Sequence, residues 1–232
     1  MIDSIAVQAA DTIATVTTSS AAAPQVQELS VWQLCLEGGF IMIPLALLAV
    51  ISIYVFIERA IVIRKASKED ASFMQRIRGY IHEGEIETAQ NLCTRTNTPY
   101  SRLISKGISR IGRPMNDVLV AIENTGNLEV ANLGKGLPWL ATTAAGAPML
   151  GFLGTVIGMV EAFYNLASAG SSANIDVLAG GIYEALVTTV AGLIVGVIAL
   201  FAYNYLVARI NGVMTRLEGN TMEFMDLLNE PA

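Results

Sequence analysis

The stretch ALVTTVAGLIVGVIALFAYNYLVA, residues 185–208, contains no charged side chain and is long enough to cross a bilayer as a helix. Two further uncharged runs precede it, at residues 38–57 and 136–160. The 232-residue chain is 53% hydrophobic and only 15% charged, whereas soluble domains carry about 25% charged residues. We therefore predict an all-α membrane protein with three transmembrane helices. A soluble bundle would instead show polar stripes at helical spacing.

The segments between and beyond these runs are more polar. Pro99, Gly107, Gly112 and Pro114 interrupt helix-forming residues, which predicts several short helices before the second span. The C-terminal segment has an apolar face, which packs either within the chain or on a neighbouring subunit. In chain order we predict a partly amphipathic N-terminal tail (1–37), a first span (38–63), a helical region (64–135), a second span with an extension (136–166), a short loop (167–176), a third span (177–208) and an amphipathic C-terminal helix (209–232).

The basic residues predict the orientation of the spans. The first of the 14 lysines and arginines is Arg59, and none lies between Val160 and Ala208. In a three-span arrangement all of them fall on one side, which the positive-inside rule identifies as cytoplasmic. We therefore expect the N-terminus outside the cytoplasm and the C-terminus inside it, with long helical extensions on the cytoplasmic side.

Several classes of function are disfavoured. The net charge of −6 is divided between two compartments and gives no indication of nucleic-acid binding. Cys35 and Cys93 fall on opposite sides of the membrane, and His82 is the only histidine, so we expect no disulfide, metal site or cofactor. The sequence contains neither a G-x-S-x-G nor an H-E-x-x-H motif, which argues against an intramembrane enzyme and a catalytic residue.

Two threonines fall at matching depths in the second and third spans. At about 1.5 Å per residue, Thr155 lies roughly 17 Å and Thr189 roughly 18 Å from the outer ends of their helices. Small residues at close-packing spacing surround them, which favours close approach of the two helices. This set comprises Gly151, Gly154, Gly158, Thr188, Gly192 and Gly196. A threonine of this kind can alternatively donate its hydroxyl to a carbonyl in the preceding turn, with no functional meaning.

Two carboxylates lie in the outer halves of these spans. Glu184 is expected about 10 Å from the outer end of its helix, where a charged side chain usually faces a bundle interior or a wet cavity. Glu161 lies roughly 9 Å outward of Thr155, at much the same depth. Together they could form an acidic funnel for cations, although for Glu161 the favoured interpretation is a carboxylate that reaches water at the interface.

The runs APMLGFLGTVIGMVEAF (147–163) and EALVTTVAGLIVGVIALFAYN (184–204) resemble the second and third spans of the ExbB/TolQ/MotA proton-channel family. The ERA at residues 58–60 also fits, and the resemblance extends over nearly the whole chain from about residue 30. It implies a pentamer in the bacterial inner membrane, with a periplasmic N-terminus. The pentamer would surround ExbD-like single-span partner helices, each carrying a membrane Asp, and pass motion to a TonB-like periplasmic protein.

The resemblance also assigns roles to individual residues. It places Thr155 and Thr189, joined by Thr188, along the proton pathway, Glu184 as the intramembrane acid, and Pro148 as the point of helix flexing. Two residues depart from the family pattern: Glu161 replaces an uncharged polar residue, and Thr188 replaces a small apolar one, so the lining is expected to be more polar.

Within the family the partner decides the role. A MotA-like protein would have four spans, and the long acidic outer tail fits ExbB better than TolQ. The resemblance thus implies a subunit that uses the proton motive force to energise TonB-dependent outer-membrane transport. The alternatives are a TolQ-like subunit for envelope maintenance and a scaffold in the lipid bilayer that conducts nothing. The residues do not indicate which substrate is imported.

Overall fold

The computed structural model describes residues 38–67, 72–169 and 175–229, and throughout these ranges the regular secondary structure is helical. The predicted N-terminal tail, residues 1–37, lies outside the described residues. The helices within the described ranges are α1 (Met42–Ala66), α2 (Phe73–His82), α3 (Ile86–Thr96), α4 (Pro99–Ile108), α5 (Met115–Leu133), α6 (Leu137–Ala169) and α7 (Ile175–Asn229).

Helices α1, α6 and α7 are each long and apolar enough to cross a membrane. In the single chain their surfaces carry large exposed apolar side chains, among them Phe152 at 67% and Phe201 at 71% exposure. Such surfaces are stable only against lipid or another protein. The prediction of an all-α protein with three candidate membrane spans is confirmed.

Helix α7 combines the predicted third span and the predicted C-terminal amphipathic segment in one unbroken helix of 55 residues. At about 1.5 Å per residue it is about 80 Å long, more than twice the thickness of the hydrocarbon core. Its last turns bury Leu217 and Phe224, and Phe224 packs against the backbone of Gly107 in α4. The apolar face of this segment is therefore covered within the chain.

The helices α2 to α5 form the predicted region of short helices beside the spans. Thr98 caps α4: its hydroxyl accepts from the Ser101 backbone N–H, and the Ser101 hydroxyl accepts in return. Pro99 occupies the first turn of α4, where its missing N–H has no helical partner to lose. Phe73 of α2 packs edge-on against Tyr100 of α4, with the ring centroids 5.2 Å apart.

Two arginines hold α5 against neighbouring helices. Arg102 of α4 donates from Nε and Nη2 to the two carboxylate oxygens of Glu129 in α5, at 2.7 and 2.6 Å. This hydrogen bonding to the largely buried Glu129 raises the pKa of Arg102. Arg59, near the end of α1, donates from Nη1 to the Asn132 carbonyl oxygen at 3.3 Å. These contacts connect the short helices to the first span.

Cys93 offers a chemical test of this packing. Its thiol is 1% exposed, and burial raises its pKa to about 11. In a Cys35→Ser background, we expect maleimide to label the folded protein at pH 8 on the order of a hundredfold more slowly than the denatured protein, because the thiolate is the reactive form. Labelling followed by mass spectrometry measures this ratio. Equal rates for the folded and denatured forms would contradict the buried position of α3.

Candidate functional site

Helices α6 and α7 are so close along one seam that a Cβ atom cannot be accommodated at several positions. A Cβ built on Gly192 would lie 2.6 Å from the Ala147 carbonyl oxygen and 2.9 Å from the Gly151 Cα. A Cβ on Gly151 would lie 2.9 Å from the Thr188 carbonyl oxygen. The glycines therefore allow direct backbone contact, the packing that stabilises helix pairs where lipid removes the hydrophobic driving force.

The seam continues toward the end of α6 and the start of α7. Gly154 lies directly against the Thr188 side chain, and a Cβ on Gly158 would lie 2.9 Å from the Ala185 Cβ. The five glycines singled out from the sequence, Gly151, Gly154, Gly158, Gly192 and Gly196, all lie on this seam. Gly154 and Gly158 of α6 thus pack on Thr188 and Ala185 of α7, and Gly192 and Gly196 of α7 pack on Gly151 and Pro148 of α6. The two helices form an antiparallel pair.

Pro148 lies at the opposite end of the seam, inside α6. Proline has no backbone N–H, so the carbonyl of Ala144 lacks its usual helical donor. A Cβ on Gly196 would lie 2.5 Å from the Pro148 Cγ and 3.2 Å from that carbonyl oxygen. The absence of a side chain on Gly196 thus lets α7 pack directly over the interrupted turn of α6.

Four seam residues escaped the sequence analysis: Ala147, Ala162, Gly181 and Ala185. A Cβ on Gly181 would lie 2.7 Å from the Ala162 Cβ, one turn beyond the predicted glycines. A longer pattern could have identified them, because small residues recur on both helices with the same spacing. The two stripes are Ala147, Gly151, Gly154, Gly158 and Ala162 on α6, and Gly181, Ala185, Thr188, Gly192 and Gly196 on α7.

The three threonines differ in how they use their hydroxyls. Thr189 donates across the seam to the Gly151 carbonyl oxygen at 3.0 Å. Thr155 donates to the Phe152 carbonyl oxygen of its own helix at 2.6 Å, and Thr188 donates to Ala185 at 2.7 Å. The alternative of a bond to the preceding turn thus describes Thr155, whereas Thr189 links the helices. The Thr188 hydroxyl does mainly the former, and it also lies 3.5 Å from the Gly151 carbonyl oxygen across the seam.

The register of the seam places Thr155 and Thr189 at nearly the same level. Gly154 of α6 lies against the Thr188 side chain of α7, and Thr155 and Thr189 are the next residues along the two helices. Both side chains are half-buried, whereas Thr188 is only 3% exposed. A hydroxyl that donates one hydrogen bond still has lone pairs to accept another. Thr155 and Thr189 can therefore offer acceptors at the surface of the helix pair, while Thr188 fills its interior.

The two carboxylates, Glu161 and Glu184, lie in the part of the helix pair nearest the connection between α6 and α7, and both are exposed in the single chain. The Glu184 carboxylate lies against Gly39, immediately before α1, close enough that a Cβ on Gly39 would collide with its Oε1 atom. Gly39 also has a φ of +63°, a conformation that favours glycine. The sequence analysis missed this contact, which places Glu184 beside the start of the first span.

Residues 95–219 match the family described as the MotA/TolQ/ExbB proton channel family. The chain belongs to this family. The matched region contains the whole seam, both threonines and both carboxylates. The resemblance proposed from the sequence motifs is confirmed, and the chain is accordingly a membrane protein of a transport-related family.

Individual relatives carry ExbB and TolQ names. A putative biopolymer transport protein ExbB homolog of Methanothermobacter thermautotrophicus is 34% identical over 74% of this chain and 62% of its own length. ExbB-like protein 1 of Synechocystis is 30% identical over 75% of this chain and 69% of its own length. The Tol-Pal system protein TolQ of Haemophilus influenzae is 37% identical over 46% of each chain. The chain therefore matches less than two thirds of the length of some of these relatives.

Proposed function

We propose that this chain is the channel and stator subunit of a bacterial inner-membrane complex that uses the proton motive force to energise TonB-dependent outer-membrane transport. The observation that carries the proposal is the pair of level hydroxyls at Thr155 and Thr189, set beside a seam where two membrane helices touch through their backbones. Family membership and relatives named ExbB support the general role.

The proton itself would travel on a carboxylate supplied by another protein. An acid in a low-dielectric environment needs hydrogen-bonding groups in both its protonated and its ionised state. A threonine hydroxyl both donates and accepts, so Thr155 and Thr189 can bond either form without adding charge. The partner is proposed to be an ExbD-like single-span helix with a membrane Asp, which in turn acts on a TonB-like periplasmic protein.

The assembly is proposed to be a homopentamer with its α6 and α7 helices around the partner. Exposed apolar side chains on these helices leave surface for both neighbouring copies and lipid. The distribution of basic residues supports a cytoplasmic position for α2 to α5 and the C-terminus, which would put Glu184 and Glu161 on the periplasmic side. There Glu184 would form an acidic group that attracts protons before they reach the threonines.

A TolQ-like role in envelope maintenance is the second candidate, and the identity to the TolQ of Haemophilus influenzae favours it. The two roles share the same proton pathway and differ in the partner and in the periplasmic protein that is driven. Growth on a nutrient that requires TonB, compared with resistance to detergent, would distinguish them in a deletion strain.

Proton flux in liposomes tests the channel directly. We expect flux only when this chain is reconstituted together with its single-span partner, since the partner supplies the carboxylate that binds the proton. Replacing the partner's membrane Asp with Asn should reduce the flux to background, as measured with a pH-sensitive dye inside the liposomes.

The control for this experiment is the co-purification of the two proteins. A complex that forms in normal amounts but conducts no more protons than either protein alone would establish a non-conducting scaffold and overturn the proposal.

A further inference from the structure

A groove runs between α1 and α7. It is separate from the glycine seam between α6 and α7. Its outer part is a cavity of about 320 Å³ lined mainly by apolar side chains. The lining includes Ser52 and Phe56 of α1, and Ile198, Phe201 and Tyr205 of α7. These positions belong to the uncharged runs that we assign to the hydrocarbon core.

The groove continues into a second cavity of about 270 Å³ that is basic. Tyr205 lines both cavities, and here it is joined by Arg64, Ser67 and Arg209. The Arg209 guanidinium lies 5.2 Å from the centroid of the Tyr205 ring, and its Nε donates to the Tyr205 hydroxyl at 3.2 Å. Tyr205 thus positions the Arg209 guanidinium where the apolar cavity meets the basic cavity.

The positive charge of this second cavity is not neutralised within the described ranges. Arg64 and Arg209 are both exposed, and neither forms an ion pair there. A third arginine, Arg216, donates to the Ser67 hydroxyl at 3.2 Å. The cavity therefore attracts an anion from the side on which α2 to α5 lie.

The length of the groove matches one leaflet of a bilayer. From Ser52 to Arg64, α1 rises about 18 Å at about 1.5 Å per residue, and half of the hydrocarbon core is about 15 Å. We infer that the groove binds one anionic glycerophospholipid of this leaflet, with an acyl chain along the apolar cavity and the phosphate between Arg64 and Arg209.

A phospholipid satisfies both parts of the groove at once. Free phosphate would pair with the arginines but leave the apolar cavity unfilled, and an apolar helix of another copy would fill the cavity but leave the arginines without a counter-charge. The site lies apart from the threonines, so its occupancy is independent of the proposed proton pathway.

Native mass spectrometry of the purified assembly measures this binding. The probes are phosphatidylglycerol and, as the comparison with a phosphate but no net charge, phosphatidylcholine with the same acyl chains. We expect Arg64→Gln and Arg209→Gln each to weaken phosphatidylglycerol binding about fivefold, and the double variant about twenty-fivefold, since each arginine near an anionic headgroup contributes about that factor.

Lys65→Gln is the matched control, because Lys65 has the same charge at almost the same depth but lines a different cavity. It should leave phosphatidylglycerol binding unchanged. Ile198→Trp should weaken the binding of both lipids by filling the apolar cavity, while leaving the oligomeric mass as it was.

Four results would overturn the assignment. Equal binding of the two lipids by the unmodified protein would refute selectivity for an anionic lipid, and an equal effect of Lys65→Gln would indicate general attraction to the leaflet. Displacement of the lipid by inorganic phosphate alone would identify a simple anion site. A change in oligomeric mass in the arginine variants, with lipid binding intact, would identify an interface between copies.

Discussion

Gly192→Leu is expected to separate α6 from α7 and to prevent the protein from folding stably. Even the first carbon of the new side chain would lie 2.6 Å from the Ala147 carbonyl oxygen and 2.9 Å from the Gly151 Cα. Both are backbone atoms, so no side-chain rotation relieves the overlap, and the helices must move apart. We expect the free energy of unfolding to fall by about 3 kcal/mol or more. The hydrogen bond from Thr189 to Gly151 should also be lost.

Thermal unfolding in detergent, followed by size-exclusion chromatography of a fluorescent fusion, measures this loss. The control is Gly212→Ala on the same helix, because a Cβ at Gly212 meets nothing within 4 Å. That substitution should leave stability unchanged or raise it by up to about 1 kcal/mol, as alanine favours helix more than glycine. A Gly192→Leu protein that unfolds at the same temperature as the Gly212→Ala protein would show that the seam contributes nothing.

The membrane spans could be predicted because a bilayer imposes a simple rule on the sequence. Side chains that face hydrocarbon carry no charge, so the run at residues 185–208 indicates a span without any knowledge of its neighbours. The same rule says little about where a helix ends. Helix α7 continues to Asn229, since Gly212 and Gly219 each weaken the helix only slightly and the amphipathic face beyond the span is covered by packing.

The close approach of α6 and α7 could also be predicted in part, because it too leaves a simple pattern in the sequence. Small residues four apart are the local signature of close helix approach, and a short connection makes two helices antiparallel. These two facts are sufficient to place Thr155 level with Thr189. They do not determine which acceptor each threonine hydroxyl bonds to, because the Gly151 carbonyl comes within reach of Thr189 only when the helices have packed.

Contacts between distant segments could not be predicted. The Glu184 carboxylate lies against Gly39, and Arg102 pairs with Glu129, 27 residues away. Nothing in the spacing of these residues indicates their partner, since any exposed carboxylate or arginine of the region would fit the pattern equally well. Such pairs follow from the tertiary arrangement and do not determine it.

Thr155→Val and Thr189→Val are expected to reduce proton flux through the complex by at least about tenfold each. Valine has nearly the shape of threonine but cannot hydrogen-bond, and a hydrogen bond to a charged group contributes about 1.5–3 kcal/mol. The barrier for moving a proton past the partner's carboxylate should rise by a comparable amount. Thr155→Ser and Thr189→Ser keep the hydroxyl and should retain most of the flux.

Thr143→Val provides the control for a threonine that only bonds to its own helix. Thr143 is fully buried in α6 and donates to the Trp139 carbonyl oxygen at 2.9 Å, so it can affect stability but not the pathway. Thr188→Val should resemble it, because Thr188 is also buried and its shorter hydrogen bond, 2.7 Å against 3.5 Å to Gly151, stays within its own helix. The decisive comparison is therefore between half-buried and buried threonines at equal protein levels. If all four valine variants lost flux to the same extent, the defect would lie in helix packing, and normal flux in both Thr155→Val and Thr189→Val would refute their role beside the proton carrier.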